Sequence, residues 1–320
     1  MRNFAITGVA GFVAPRHLKA IQQTGNRLVA ALDPHDAVGI LDRYSFDVRF
    51  FTESERFDRE LEKRRLGPEL ERVNYVSICS PNHVHDAHVR LALRSQAHAI
   101  CEKPLVINPW NLDAMQALER ETGFRVYTVL QLRLHPEVIA LRERLKTRAE
   151  GQKHEVSLTY VTTRGHWYDV SWKGSPERSG GIIVNIGIHF FDLLLWLFGP
   201  VQANHLHVLE SHRASGFLEL ANARVQWFLS TDPLDLPFEP VAGGRTTFRS
   251  MTVDGTEAEF SDGFADLHTE VYRQILAGQG PGIDDARPSI RLAHDIRHAR
   301  VKDSPADRHP LVAGPRQVRR

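Results

Sequence analysis

The chain first offers chemistry at Ile100-Cys101-Glu102-Lys103-Pro104-Leu105, where a lysine closes a short apolar run. Residues 98–101 have the length and composition of a buried strand, and the following proline restricts Lys103 to extended backbone. In an open α/β sheet, ligands bind beyond the carboxyl ends of the strands. An ammonium fixed there can hold or deprotonate a hydroxyl; the alternative is an exposed charged turn. A second set lies in the largely apolar stretch 180–192, Gly-Gly-Ile-Ile-Val-Asn-Ile-Gly-Ile-His-Phe-Phe-Asp. On a helix, Asn185 and His189, four apart, and His189 and Asp192, three apart, share one face. A buried amide and imidazole each need a partner. His189 is then either an acid or base facing a substrate, or a core histidine satisfied by Asp192.

A third set follows the alternating run 154–163, in the loop Arg164-Gly-His-Trp-Tyr-Asp-Val-Ser-Trp-Lys-Gly174. Arg164 and Lys173 can hold carboxylate or phosphate oxygens, while Trp167, Tyr168 and Trp172 can cover a sugar face or stack on a base. An anionic sugar site is favoured over a solvated turn with incidental aromatics. His83, His85 and His88 have metal-ligand types, but they open a helix just after Ser80-Pro81-Asn82, at a nucleotide-binding edge. No metal is expected.

These groups need a scaffold, and the N-terminus begins one. Residues 4–7 read as a buried strand, followed by Gly8-Val9-Ala10-Gly11-Phe12-Val13-Ala14 and a helix over 15–24 stopped by Gly25. A tight turn leading into a helix N-terminus lets backbone amides bind a pyrophosphate. The turn departs from G-x-G-x-x-G, with Ala10 and Val13 at the second and third glycine positions. A strand over 28–32 ends in Asp33, at the distance expected of a carboxylate that binds a ribose hydroxyl. Asp33 would repel a 2′-phosphate, which favours NAD over NADP; alternatively it caps a turn at Pro34.

Further strands near Val76, Ala99 and Val126 alternate with helical stretches, which predicts a doubly wound parallel sheet over residues 1–130. The charged segment 53–72 reads as a solvated amphipathic helix with its loop. From about residue 154 the runs 154–163, 203–210, 216–229 and 246–253 predict a large, open, mostly antiparallel sheet in an α+β domain over 131–301. Val225, Trp227 and Leu229 give this sheet an apolar face, and the mixed opposite face with Arg224, Gln226 and Phe228 suggests a subunit interface. Residues 266–277 and 285–301 look helical, and 302–320 read as a frayed tail.

The whole chain sets limits. Its 320 residues suit two domains, and 42% hydrophobic with 25% charged residues is ordinary for a globular protein. A formal charge of +1 provides no global field toward nucleic acid or membrane. The only cysteines, Cys79 and Cys101, fall in predicted strands, which argues for reduced thiols in a cytoplasmic protein. No secretory signal is expected. Residues 181–199 approach the length of a membrane span, but Asn185, His189 and Asp192 interrupt them, so a buried helix bordering a polar site is expected.

Taken in order, residues 8–17, Ser80-Pro81-Asn82-His83-Val84-His85, Glu102-Lys103-Pro104 and 180–192 resemble the Gfo/Idh/MocA oxidoreductase family over almost the whole chain. More narrowly, Gly-Val-Ala-Gly-Phe-Val-Ala-Pro-Arg-His, Trp-Tyr-Asp-Val-Ser-Trp-Lys-Gly and Asn-Ile-Gly-Ile-His-Phe-Phe-Asp resemble the bacterial UDP-N-acetyl-2-amino-2-deoxyglucuronate 3-dehydrogenases of the WlbA and WbpB type. The resemblance implies a Rossmann domain binding NAD through Gly8, Ala10, Gly11, Phe12, Val13, Asp33, Ser80, Pro81, Asn82, His85, Glu102, Lys103 and Gln131. It implies catalysis by Lys103 and His189, and a UDP-linked N-acetylglucosaminuronic acid held by Lys103, Arg164, Tyr168, Trp172, Lys173, Asn185 and His189. The broader family often has Asp where Asn185 stands, which leaves proton transfer to Lys103 and His189 and spares the substrate carboxylate a repulsion. It further implies a dimer or tetramer through the C-terminal sheet and a product used for surface polysaccharide. A related dehydrogenase for another sugar or polyol, and a non-catalytic NAD(H)-binding regulator, are the other readings.

Overall fold

The computed structural model describes residues 1–146, 151–238, 244–258, 266–302 and 307–313. In chain order the first half runs β1 (Asn3–Thr7), α1 (Ala14–Gln23), β2 (Arg27–Leu32), β3 (Arg49–Phe51), α2 (Ser54–Leu66), β4 (Tyr75–Ile78), α3 (His85–Arg94), β5 (His98–Cys101), α4 (Trp110–Thr122) and β6 (Val126–Thr128). After α5 (Pro136–Leu145) come β7 (His154–Thr162), α6 (Trp167–Val170), α7 (Pro176–Ser179), α8 (Gly181–Asn185) and α9 (Ile188–Phe198). The strands β8 (Val201–Leu209), β9 (Arg213–Leu220), β10 (Ala223–Ser230), β11 (Thr247–Val253) and β12 (Thr256–Glu257) follow, then α10 (Leu267–Leu276), α11 (Ile283–His298) and α12 (Pro310–Ala313).

The chain divides into two compact units, Met1–Leu134 with Phe264–Arg287 and His135–Gly263 with Pro288–Arg320. The first crossing falls between Leu134 and His135, where the sequence placed it between 130 and 131, and α10, placed by the sequence in the second domain, lies in the first unit. The second crossing falls inside α11, before Pro288.

The first unit holds a parallel sheet of order β3-β2-β1-β4-β5-β6. That order reverses between β1 and β4, which opens a crevice at their carboxyl ends. Strands β1, β2 and β4 are almost wholly buried, as expected of a sheet covered on both faces. The short β3, not foreseen from sequence, extends the edge beside β2 through Ala30 to Leu32. Tyr272 of α10 stacks on Phe4 of β1, with ring centroids 5.8 Å apart.

The second unit holds a sheet of order β12-β11-β7-β10-β9-β8, antiparallel except where β7 and β10 run parallel. The single run expected over 216–229 is two strands, β9 and β10, turned at Ala221-Asn222. Buried Trp227 packs edge-on against Phe191 of α9 at 5.3 Å. The expected tail over 302–320 is ordered in part. His309 is buried, its ring stacks on Phe228 at 5.6 Å, and its Nε2 lies 3.0 Å from the Thr159 hydroxyl. Residues 303–306 and 314–320 of that expectation lie outside the described residues.

Among the described residues no single helix is long and apolar enough to cross a membrane. The stretches Pro176–Asn185 and Ile188–Phe198 reach that length together, but a 42° bend separates them, and most of α9 is buried.

Candidate functional site

In the first unit the site is built on the ends of β1, β2, β4 and β5. Gly8 follows β1 with φ +74°, and a Cβ there would lie 2.5 Å from the carbonyl carbon and oxygen of Cys79 and from the Ser80 nitrogen. Only glycine lets these two strand ends approach so closely. Gly8 N–H donates to Leu32 O at 2.8 Å, and Gly11 N–H donates to Gly8 O at 3.0 Å, which closes the turn. Buried Asp33 fulfils the turn-capping alternative and adds to it. Its Oδ1 accepts from His35 N–H and its Oδ2 from Ala10 N–H, both at 2.9 Å. The carboxylate thereby locks the small-residue turn onto β2. Helix α1 begins beyond that turn with no side-chain cap and no acid in its first turn, so its positive end is open to an anion. Phe12, in the turn, is 84% exposed, with the Arg16 guanidinium 5.8 Å from its ring.

These residues fit a dinucleotide. The helix start is open, and three buried acceptors or donors at the sheet's carboxyl edge, Thr7 Oγ1, Thr128 Oγ1 and Gln131 Oε1, have no partner among the described residues. Such groups are costly in a finished protein unless a ligand meets them.

Lys103 follows buried Glu102 at the end of β5 and is itself half-buried. Glu102 Oε1 accepts from His17 Nε2 at 2.9 Å and His268 Nε2 at 3.0 Å, and Oε2 lies 3.3 Å from the Lys103 amide N. Burial works to raise the Glu102 carboxyl, but the hydrogen bonds from the two histidines outweigh it and hold the group well below the usual carboxylate range. His17 Nδ1 faces the Tyr272 hydroxyl at 2.8 Å, and that hydroxyl faces Ser77 Oγ at 2.6 Å. Burial keeps the tyrosine protonated far above its ordinary range and pushes His17 toward the neutral form. Tyr272 therefore donates to Nδ1 of His17, whose proton sits on Nε2 and points at Glu102. His17, Glu102 and His268 are the one trio of metal-ligand type that converges among the described residues, within 4.8 Å. With that tautomer a proton, rather than a lone pair, occupies the space between His17 and Glu102.

Sequence reasoning missed His17, His268 and Tyr272 as supports of Lys103. The four-residue spacing of His268 and Tyr272 was visible, but the return of α10 to the first unit was not. His85, expected to touch the cofactor, spends both ring nitrogens on protein carbonyls, Pro104 O at 2.7 Å and Ser80 O at 2.8 Å. His88 Nδ1 turns to Ser80 Oγ at 2.8 Å, so the histidines of α3 do not share a ligand.

In the second unit the loop after β7 folds into α6 and brings Tyr168 inward to 4% exposure, where a surface aromatic was expected. Its hydroxyl accepts from Asn185 Nδ2 at 3.2 Å, and burial pushes the phenol up. The Lys173 ammonium sits 5.1 Å from the Trp167 ring and 5.7 Å from the Trp172 ring. Burial, and then the charge of Arg164, pull Lys173 below the ordinary lysine range. Two cations thus stand close without neutralising each other, which is the electrostatics of an anion site. The sharp turn is possible because Gly174 replaces a Cβ that would lie 2.7 Å from Asp169 Cα and Tyr168 O.

Asn185 and His189 do not share one continuous helix face. Helix α8 ends at Asn185 and α9 begins at Ile188. Gly187 fills the break, where a Cβ would meet Ile183 O at 2.6 Å, Phe191 at 2.7 Å and Leu229 at 2.8 Å. His189 and Asp192 do lie in one helix, with Asp192 buried and His189 half-buried. Lys103 belongs to the first unit and His189 to the second.

Residues 2–130 match the oxidoreductase family's NAD-binding Rossmann fold, and residues 151–292 match its C-terminal alpha/beta domain, both of the Gfo/Idh/MocA type. The WlbA (WbpB) dehydrogenase from Thermus thermophilus, solved with NAD and alpha-ketoglutarate, is 50% identical, with a TM-score of 0.93 over 98% of this chain and 100% of that one. A structure of that protein with NAD and UDP-GlcNAcA gives 0.92 at the same identity and coverage. D-glucoside 3-dehydrogenase from Escherichia coli is 27% identical over 124 residues, 39% of this chain; the match spans only 35% of that relative's length. The chain belongs to the Gfo/Idh/MocA family of oxidoreductases.

Proposed function

We propose that this protein oxidises the C3 hydroxyl of UDP-linked N-acetylglucosaminuronic acid to a ketone, with NAD as acceptor. The observation that carries this is the full-length likeness, at 50% identity, to a dehydrogenase solved with NAD and UDP-GlcNAcA. NAD, when bound, takes the hydride from C3. The turn of Gly8, Ala10, Gly11, Phe12 and Val13, with α1 behind it, would hold the pyrophosphate, and Asp33 would orient the ribose. Ser80, Pro81, Asn82, Glu102 and Gln131 would line the rest of the cofactor site.

Lys103 takes the hydroxyl proton, and His189 acts as a second acid or base or orients the sugar. An ordinary lysine, with a pKa of about 10.4, is too basic to be neutral near pH 7, so nearby positive charge must lower it. Arg164 and Lys173 would bind the substrate's anionic groups, with Tyr168 and Trp172 beside them and Asn185 replacing a carboxylate that would repel the uronate. On this reading the protein works in the cytoplasm as a dimer or tetramer through its second sheet, and its keto product goes on to surface polysaccharide. The free, buried Cys79 and Cys101 agree with a reducing compartment.

A second substrate is favoured by the alpha-ketoglutarate present with the relative. A 2-oxo acid can return the reduced cofactor to NAD and become a 2-hydroxy acid. Substrate deuterated at C3 tests both steps by mass spectrometry. Deuterium on the reduced cofactor, and on C2 of 2-hydroxyglutarate once alpha-ketoglutarate is added, is expected. Absence of transfer with NAD bound would sink the C3 assignment, and the same assay with glucose or inositol then tests the alternative sugars.

A further inference from the structure

The His85 ring is almost wholly buried at the start of α3. Its Nδ1 lies 2.7 Å from the Pro104 carbonyl oxygen and its Nε2 lies 2.8 Å from the Ser80 carbonyl oxygen. Carbonyl oxygens only accept, so each contact needs a proton on nitrogen. A neutral imidazole carries one such proton and would aim a lone pair at the other oxygen. Turning the ring over would put carbon atoms at those distances, well inside the roughly 3.3–3.6 Å at which C–H groups approach carbonyls. We infer that His85 is held as an imidazolium and serves as a positioning residue for Lys103, strapping the loop after β5 to the loop after β4 and fixing a positive charge near the lysine.

Burial is the strongest influence on the ring and pulls it below the ordinary histidine range; the two carbonyls and the Glu102 carboxylate act the other way, and Lys103 acts with burial. His88 lies on the same helix, and the charge of the His85 ring acts on it. Burial holds His88 down to about 4, so it is neutral near pH 7 and does not repel its neighbour. The two contacts outweigh burial, because the neutral ring would leave one buried carbonyl facing a lone pair at hydrogen-bond distance. Both strapped loops border the crevice: Ser80 follows β4, and Pro104 is bonded to Lys103. A fixed cation there lowers the affinity of Lys103 for its own proton, which is what a base working near neutral pH requires. The effect on Lys103 as base rests on the function proposed above; the charge of the ring does not.

Neutron diffraction from crystals of the perdeuterated wild-type protein at pH 8, without substrate, reads the ring directly. Deuterons on both nitrogens are expected, and a single deuteron would overturn the inference whatever the substrate proves to be. His85→Gln cannot reproduce a cationic strap. If it folds, the ascending limb of its kcat against pH should move up by about half a unit or more, with the Kd for NAD little changed. An unmoved limb in a folded, NAD-binding variant would overturn the tuning of Lys103.

Discussion

At the scale of single residues, Lys103 is the simplest to test because its surroundings are built by other groups. Its removal leaves Glu102, His17 and His268 bonded to one another, so the fold beneath should persist. Lys103→Ala is expected to lower kcat by about 10²- to 10⁴-fold, the range for losing a positioned base, while calorimetry finds NAD binding retained. Gly8 is the opposite case, since its φ of +74° and the 2.5 Å approach of Cys79 leave no place for a methyl. Gly8→Ala should cost about 1–3 kcal/mol in denaturant unfolding and weaken NAD binding, because the turn can accept a Cβ only by moving away from β4. The sequence made Gly8, Asp33 and Lys103 legible since each follows a strand and strand ends are readable from apolar runs. The second bond of Asp33, to Ala10, was not legible, because it depends on how the turn folds back over β2.

At the scale of elements, periodicity gave the parallel sheet and failed at interruptions that packing imposes. Residues 180–192 look like one helix because nothing but glycine marks a break, and glycine is tolerated inside helices. The break occurs at Gly187 because Phe191 and Leu229 occupy the space beside it. Gly187→Ala keeps an allowed φ of −74° yet meets three atoms within 2.8 Å. It should lower the melting temperature and raise KM for the nucleotide sugar more than it changes NAD binding, since α8 and α9 carry Asn185 and His189. Equal KM values for variant and wild type would show that the break does not set the presentation of these side chains. Gly216 has a related cause: it pairs in register with Trp227, whose ring lies 2.6 Å from where a Cβ would be. That glycine fits inside β9 because its neighbour fills the gap, so the sequence could not show that it was no strand boundary.

At the scale of the whole molecule, the protein keeps several histidines neutral in its interior, and this sets its response to acid. Burial holds His88 and His309 down to about 4 and also lowers His17, His98 and His207. For His309 burial sets the direction, and the hydrogen bonds agree with it: Leu311 N–H donates to Nδ1 at 3.2 Å, so protonating that nitrogen removes the acceptor. Its Nε2–H is left to donate to Thr159. Unfolded histidine takes up a proton near pH 6.5, so between 6.5 and about 4 the unfolded chain binds protons that folded His88 and His309 refuse. Their stabilisation is thus complete above 6.5 and lost as pH falls, at roughly 1 kcal/mol per pH unit for each ring. Glu102, held low, adds a loss that begins only below the ordinary carboxylate value of about 4.3, and an imidazolium at His85 opposes the trend. Unfolding free energy by denaturant should therefore fall from pH 7 to pH 5. His309→Phe keeps a ring against Phe228 but removes one titrating group and the Thr159 bond. It should destabilise the protein at pH 7.5 yet flatten the slope between pH 6.5 and 5 by about 1 kcal/mol per unit. A slope unchanged from wild type would mean that the ring charges without leaving its place on the sheet.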